Sequence, residues 1–412
     1  MTNQPSNSAI GPVAGPSIHL PALDGVRGLA ILLVLFDHLM LFNDRTGNRW
    51  VDSFSAVRGL GGMGVDLFFV LSGFLITGIL YDTVHQAHFF RNFYMRRFLR
   101  IFPLYYGFLF LLLILTPLLH VAWGGRQFVL LTYLQNTGIW FPVAGFHPAD
   151  LVDLNHFWSL AVEEQFYLFW PLLVFLVKDR RRLIQLSLAL SACALGLRIA
   201  LYTHDSHILA RGILHEWTLC RMDTLMIGGC LALLLRGERP HIPRSLASGW
   251  LWVSAVVLIA IAVVHRGMDV SELPFVGTFG YTMIAIAFAG LIYLSLGQGS
   301  IWNRFFRMAW LRSLGKYSYG IYVLHILVGH LFAMWMDRVF GESLRNFLAP
   351  RLHSRALAVV SEFVVTACVV YAVAWLSYNL YEVHFLRLKR YFSYSSKRTM
   401  VPPVDVPQAV ES

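Results

Sequence analysis

Charge is what this chain has least of. Asp, Glu, Lys and Arg make up 14% of its 412 residues while 57% are hydrophobic, and soluble globular domains carry about 25% charged residues. That balance excludes an ordinary soluble domain. Cysteine is scarce too. Cys193, Cys220, Cys230 and Cys368 show no paired spacing of a disulfide framework or zinc site, so core packing is their expected role. No HExxH helix occurs, and His204, His207 and His215 cluster in one loop without ligand spacing, so no metal is expected. The Gly-x-Ser-x-Gly elbow is missing, and Ser72 in LSGF lacks the strand-turn context of a hydrolase nucleophile. With no Walker or GxGxxG loop, side chains alone must hold any nucleotide. Short alternating strands are lacking, which excludes a β-barrel. So is a clear internal repeat of the kind many transporters carry.

Long apolar runs fill the chain instead. Ten are long enough to span a bilayer: about 26–43, 60–80, 103–121, 157–177, 183–201, 219–235, 249–265, 276–296, 316–336 and 357–380. Backbone groups in lipid must be satisfied internally, so runs of this length predict helices. The fold class is all-α, a polytopic membrane bundle of about ten transmembrane helices over residues 20–392. Residues 1–19, rich in Pro, Gly, Ser and Asn and free of Lys and Arg, read as a disordered lead-in rather than a signal peptide. The tail 393–412 reads as equally unstructured, and no appended soluble domain is expected.

The net charge of +10 is mostly topological. With the N-terminus inside, 20 of the 33 Lys and Arg residues fall in inner loops and the tail and 10 in outer loops, which places both termini in the cytoplasm. The bilayer, not nucleic acid, is the partner this charge serves.

Against that background the intramembrane polar residues stand out. Arg27 and His38 are eleven residues apart in the first run, so they share one helix face about 16 Å apart along the axis. Arg97 and Arg100, in RNFYMRRFLRIFP, share a face if their segment is helical, and two guanidiniums can clamp a phosphate. A plain positive-inside cluster is the other reading of that pair. Toward the outer face lie Asp66, then His156, Trp158, Ser159, Glu163 and Glu164, then Arg221 and Asp223. A histidine beside a buried carboxylate suits general-base chemistry on a hydroxyl, which points to His38 and Glu163. Asp66 has a structural alternative, a cap or an ion pair with an intramembrane arginine. Arg221 and Asp223 read equally as a helix-linking salt bridge or as substrate contacts. Tyr317, Ser318, Tyr319, Tyr322 and His325 in KYSYGIYVLHI read as polar helix-packing groups.

Seven segments in order, LDGVRGLAILLVLFDHL, GVDLFFVLSGFLIT, RRFLRIFPLYY, HFWSLAVEEQFYLFWP, CRMDTLMIGGCLA, KYSYGIYVLHI and YEVHFLRLKRYF, resemble the membrane acyltransferase 3 family, which includes bacterial glycan O-acetyltransferases. The likeness covers about residues 20–390. It maps the family's helix-1 arginine and histidine onto Arg27 and His38, its RxxR element onto Arg97 and Arg100, and its WSLxxE element onto Trp158, Ser159, Leu160 and Glu163. The family's final YE-x-P-F reads YEVHF here, with His384 replacing proline at the exit of the last helix.

The resemblance implies a multi-pass enzyme of the bacterial inner membrane that moves an acyl group, commonly acetyl, from cytoplasmic acyl-CoA to a carbohydrate hydroxyl. O-antigen, exopolysaccharide and other glycans are the candidate acceptors. Some members carry an extracytoplasmic hydrolase-like domain. None is read in this chain, so the membrane core completes the transfer or hands the acyl group to a separate periplasmic partner. In the expected mechanism Arg97 and Arg100, helped by Arg27, hold acyl-CoA as co-substrate, with no bound cofactor. His38 is general base, with Glu163 orienting or polarising. Asp66, Trp158, Ser159, Arg221 and Asp223 serve substrate or structure. The rival is a transporter of an acidic or sugar-linked solute, against which stand the missing repeat and the RxxR pair.

Overall fold

The computed structural model describes residues 20–40, 59–119, 126–137, 154–208, 212–237, 243–264 and 273–394. The lead-in 1–19 and the tail beyond 394 lie outside the described residues. Ten long helices follow one another: α1 Pro21–Leu39, α2 Met63–Thr83, α3 Phe89–Leu119, α4 Trp158–Val177, α5 Arg180–His204, α6 Thr218–Leu234, α7 Arg244–Val264, α8 Tyr281–Leu296, α9 Ala309–Phe340 and α10 Arg355–Ser377. Among the described residues there is no strand. Nine helices there are long and apolar enough to cross a membrane. The first, α1, carries Asp24, Arg27 and Asp37 and stands apart by charge alone. Its 19 residues reach about 28 Å, close to the hydrocarbon thickness, and Val26, Ala30, Ile31 and Val34 are fully buried. The chain is therefore a polytopic helical membrane protein, with α1 an interior helix packed along α9 and α2.

Small residues set the closest crossings. A Cβ on Gly28 would lie 1.9 Å from the Leu311 carbonyl oxygen, and one on Gly315 would lie 1.8 Å from that of Asp24, so α1 and α9 touch backbone to backbone. Gly73 and Gly228 do the same for α2 and α6. In lipid, where apolar side chains gain little by leaving the solvent, such close packing is a principal source of helix association.

Several elements differ from the sequence reading. The third helix begins at Phe89, not near residue 103, and Pro103 lies inside it. Proline removes one N–H but is tolerated where neighbouring helices support the backbone. Arg97 and Arg100 are thus on one continuous helix. Of the four cysteines, only Cys220 and Cys230 are buried; Cys193 and Cys368 are exposed on the bundle's outer surface. The segment 126–137, expected as part of an outer loop, folds back against the bundle and buries Leu130, Tyr133 and Asn136. Side chains satisfy its irregular backbone: Tyr105 donates to the Leu130 carbonyl at 2.9 Å, Tyr106 to Leu131 at 2.8 Å and Gln165 to Tyr133 at 2.8 Å. At the last helix, a π-turn at Tyr378–Glu382 carries the chain into Val383–Arg387, so His384 continues the helical path.

Two buried ion pairs cross-link α2, α5, α6 and α8. Arg198 of α5 grips Asp223 of α6 through both guanidinium ends, at 2.9 and 2.7 Å, and donates to Thr282 of α8 at 2.7 Å. Arg221 of α6 pairs with Asp66 of α2 and lies 3.7 Å over the Tyr281 ring. The sequence reading paired Arg221 with Asp223. That pairing is corrected: two residues apart on a helix, they point to different neighbours, and each meets a counter-charge on another helix.

Candidate active site

The arginines singled out in the sequence meet at one end of the bundle. Arg27 from α1 and Arg97 and Arg100 from α3 line a chamber of about 650 Å³ with Arg312, Lys316 and Lys389. Asp24 is the one acid among its described wall residues, and it holds Arg27 by an i,i+3 contact of 3.0 Å. A space walled by six basic side chains and one carboxylate favours a polyanion.

The same three arginines form part of the wall of a deeper cavity of about 190 Å³ between α2, α3, α4 and α9. Besides the arginines, its polar lining is Ser72, Ser159, Glu163, Tyr167, Ser318, Tyr319 and Tyr322. The Ser72 and Tyr167 hydroxyls are 2.5 Å apart. Both lie near the Glu163 carboxylate, which also feels the Arg97 and Arg27 charges. The Tyr319 hydroxyl donates to the Ile101 carbonyl at 2.7 Å, one residue past Arg100, and ties α9 to α3.

Ser159 and Tyr322 close the far end. Their hydroxyls are 2.5 Å apart, and both reach the His156 carbonyl, at 3.2 and 2.6 Å. Beyond them three imidazoles gather. The His38 ring centroid lies 5.0 Å from that of His325 and 6.3 Å from that of His156, and the last two are 4.9 Å apart. His38 Nδ1 lies 3.0 Å from the Val34 carbonyl. A carbonyl only accepts, so the proton sits on Nδ1 and Nε2 is left as the basic nitrogen. His325 is anchored in the same way, with Nδ1 2.7 Å from the Tyr322 carbonyl. Among the described residues no group of His, Cys, Asp and Glu is placed to hold a metal ion.

The structure thus brings Arg27, Arg97, Arg100, Ser159 and Glu163 to one cavity and sets His38 behind its far wall. The expected orientation of His38 by Glu163 is replaced: the Val34 carbonyl of its own helix orients the imidazole, while Glu163 faces the arginine side. Trp158 is buried with its ring against Phe69 at 5.8 Å and His215 at 4.5 Å, so it buttresses Ser159 rather than lining the cavity. Asp66, Arg221 and Asp223 belong to the ion pairs and are not among the cavity's wall residues. Sequence reasoning passed over Tyr322 and His325 as packing groups and weighed Ser72 only as a hydrolase nucleophile. One signal was available: Ser318, Tyr322 and His325 recur at i, i+4 and i+7, a polar stripe on one face of an apolar helix.

Comparison with known proteins places the chain among acyltransferases by sequence. The family model described as an acyltransferase domain matches residues 20–379. The peptidoglycan O-acetyltransferase OatA of Listeria monocytogenes is 30% identical over 327 residues, 74% of this chain and 49% of that protein. The putative peptidoglycan O-acetyltransferase YrhL of Bacillus subtilis is 31% identical over 328 residues, 74% of this chain and 48% of that one. The O-acetyltransferase OatA of Staphylococcus aureus is 29% identical over 331 residues, again 74% of this chain and 50% of the relative. The matched part of the chain spans about half the length of these curated relatives. No solved structure matches it. With the acyltransferase model matching most of the chain and a relative 30% identical over 74% of it, the chain belongs to the membrane acyltransferase 3 family.

Proposed function

We propose that this protein is an integral-membrane O-acyltransferase that takes an acyl group, acetyl by preference, from cytoplasmic acyl-CoA. The acceptor is a hydroxyl of an envelope glycan on the opposite side of the inner membrane. The printed activities of the relatives favour peptidoglycan over O-antigen as that glycan. One observation carries the reading: a polycationic chamber and a narrow cavity share Arg27, Arg97 and Arg100, and the cavity ends at hydroxyls that touch a histidine cluster. The chamber matches the phosphates of coenzyme A, and the cavity matches its slender pantetheine arm.

In this reading the thioester rests against Ser159 and Tyr322, whose hydroxyls turn to donate to its carbonyl oxygen as negative charge develops there. His38 Nε2 takes the proton of the acceptor hydroxyl as that oxygen attacks the carbonyl carbon. The C–S bond breaks, the ester C–O bond forms, and the acceptor's proton ends on the coenzyme A thiol. Glu163 steadies Arg97 and Arg27 as the anionic donor arrives and leaves.

The test is label transfer in membranes carrying the full chain, with radiolabelled acetyl-CoA and envelope glycans, comparing wild type with His38→Ala. Label should enter an alkali-labile glycan ester and fall about 100-fold or more in the variant. Undiminished transfer in the variant removes His38 from the chemistry. A donor left intact while a solute crosses the membrane returns the transporter reading. Label that stops on a second protein identifies a separate acyl-transfer partner.

A further inference from the structure

The other side of the α3–α4 wall holds a second hollow. It measures about 320 Å³ and lies between α3, α4 and the returning residues Thr132 and Tyr133. It opens on the outside of the bundle, where Phe98 is 46% exposed and Leu168 58% exposed; in a membrane, that surface meets lipid. Its inner end is polar. Glu164 Oε1 and Tyr133 Oη both belong to residues lining the hollow, both are buried, and neither has a hydrogen-bond partner among the described residues. Orphaned polar atoms beside hydrocarbon are costly, and two around one hollow point to a group that satisfies them.

The site is also built. Tyr133 adopts a left-handed backbone conformation, φ 55, which is strained for an aromatic residue and persists only where its surroundings enforce it. Stacking on Tyr105 at 4.4 Å and Phe102 at 5.7 Å holds the ring, and Gln165 Nε2 holds its carbonyl at 2.8 Å. Arg97 and Tyr167 line this hollow and the donor cavity alike.

An occupant must offer hydroxyls to Glu164 and Tyr133, an anion to Arg97 and alkyl surface to Phe98, Phe102 and Leu168. We infer that the hollow is a lipid site for a hydroxylated, anionic headgroup whose chain lies along the outer face of α3 and α4. That chemistry occurs in a glycerol-headed phospholipid and in a prenyl-phosphate-linked sugar. Because Arg97 and Tyr167 are shared, occupancy is coupled to the donor cavity. The inference concerns binding and stands whether or not the acyl-transfer reading does.

The experiment uses the full chain in phosphatidylcholine nanodiscs with trace photoactivatable phosphatidylglycerol, and maps the cross-linked peptides. Cross-links are expected in 94–102 and 164–168, with photoactivatable phosphatidylcholine giving none above background. Glu164→Gln and Tyr133→Phe, both close in shape to the native residues, should each lower them about tenfold. In the wild type, competition by unlabelled phosphatidylglycerol and by a prenyl-phosphate disaccharide identifies the source: the stronger competitor is the ligand class. This arm needs no variant to fold. Equal labelling by the two photoactivatable lipids, no competition by either lipid, or labelling unchanged in both variants overturns the inference.

Discussion

Two regions of this bundle bury charge, and they do so in opposite ways. In the α2, α5, α6 and α8 quarter, Arg198 faces Asp223 and Arg221 faces Asp66, with side chains no more than 3% exposed. Around α1, α3 and α9, Arg97, Arg100 and Arg312 face open space, and the one acid among the described residues of the chamber wall, Asp24, pairs with Arg27. A charge answered inside the protein is a strut. A charge aimed at a cavity waits for a ligand. All these residues look alike as intramembrane ions, so the partner, rather than the residue type, separates structure from chemistry.

The sharpest way to break the contrast is to unpair a strut. Asp223→Leu leaves the Arg198 guanidinium buried without its counter-charge, a loss of about 3–5 kcal/mol, so folded protein should fall steeply in thermal-stability and protease-resistance assays of the solubilised protein. Adding Arg198→Met should restore much of it, and a double variant as unstable as the single one would show that the pair does more than cancel charge. On the other side, Arg97→Ala and Arg100→Ala should leave the fold intact and weaken the donor. Loss of a charged hydrogen bond is worth about 1.5–3 kcal/mol, so KM for acetyl-CoA should rise about tenfold or more with little change in kcat. A melting temperature that falls instead would move these arginines into the structural class.

Smaller effects sharpen the boundary. Tyr322→Phe removes one neutral hydroxyl from the end of the cavity, about 1 kcal/mol, and should lower kcat several-fold while leaving KM for acetyl-CoA unchanged. An altered KM alone would make Tyr322 a wall and not a donor. Asp24→Asn should be the mildest. A half-buried i,i+3 helix pair is worth about 0.3–0.5 kcal/mol, so stability should barely move, while donor affinity should rise slightly because a negative charge leaves the chamber. Weaker donor binding would mean that Asp24 is needed to aim Arg27.

How far the sequence carries is visible in particular residues. The run around Arg27 and His38 announced both a helix and its odd polar groups, because a long apolar stretch broken by an arginine and a histidine is unusual whatever surrounds it. RxxR read correctly as a shared face once α3 proved continuous through Pro103. Asp66 does pair with an intramembrane arginine, as the sequence allowed, but Arg221 was set against Asp223, because which acid an arginine meets depends on how two helices are rotated against each other. Tyr322 and His325 were undervalued because a polar stripe on a transmembrane helix serves packing and chemistry with the same spacing.

The sequence by itself determined that this is a helical membrane protein, roughly where its helices run, and to which family it belongs. These follow from local facts: a bilayer needs about 20 apolar residues per span, and a motif is a string. Tertiary structure alone decided that 126–137 turns back against the bundle and that Ser159 and Tyr322 stand between an arginine-lined cavity and three histidines. It also decided that Glu163 and Glu164, neighbours in the chain, face two different hollows. The reason is geometric. Adjacent helical residues point about 100° apart, so what each side chain meets is set by helices distant in sequence.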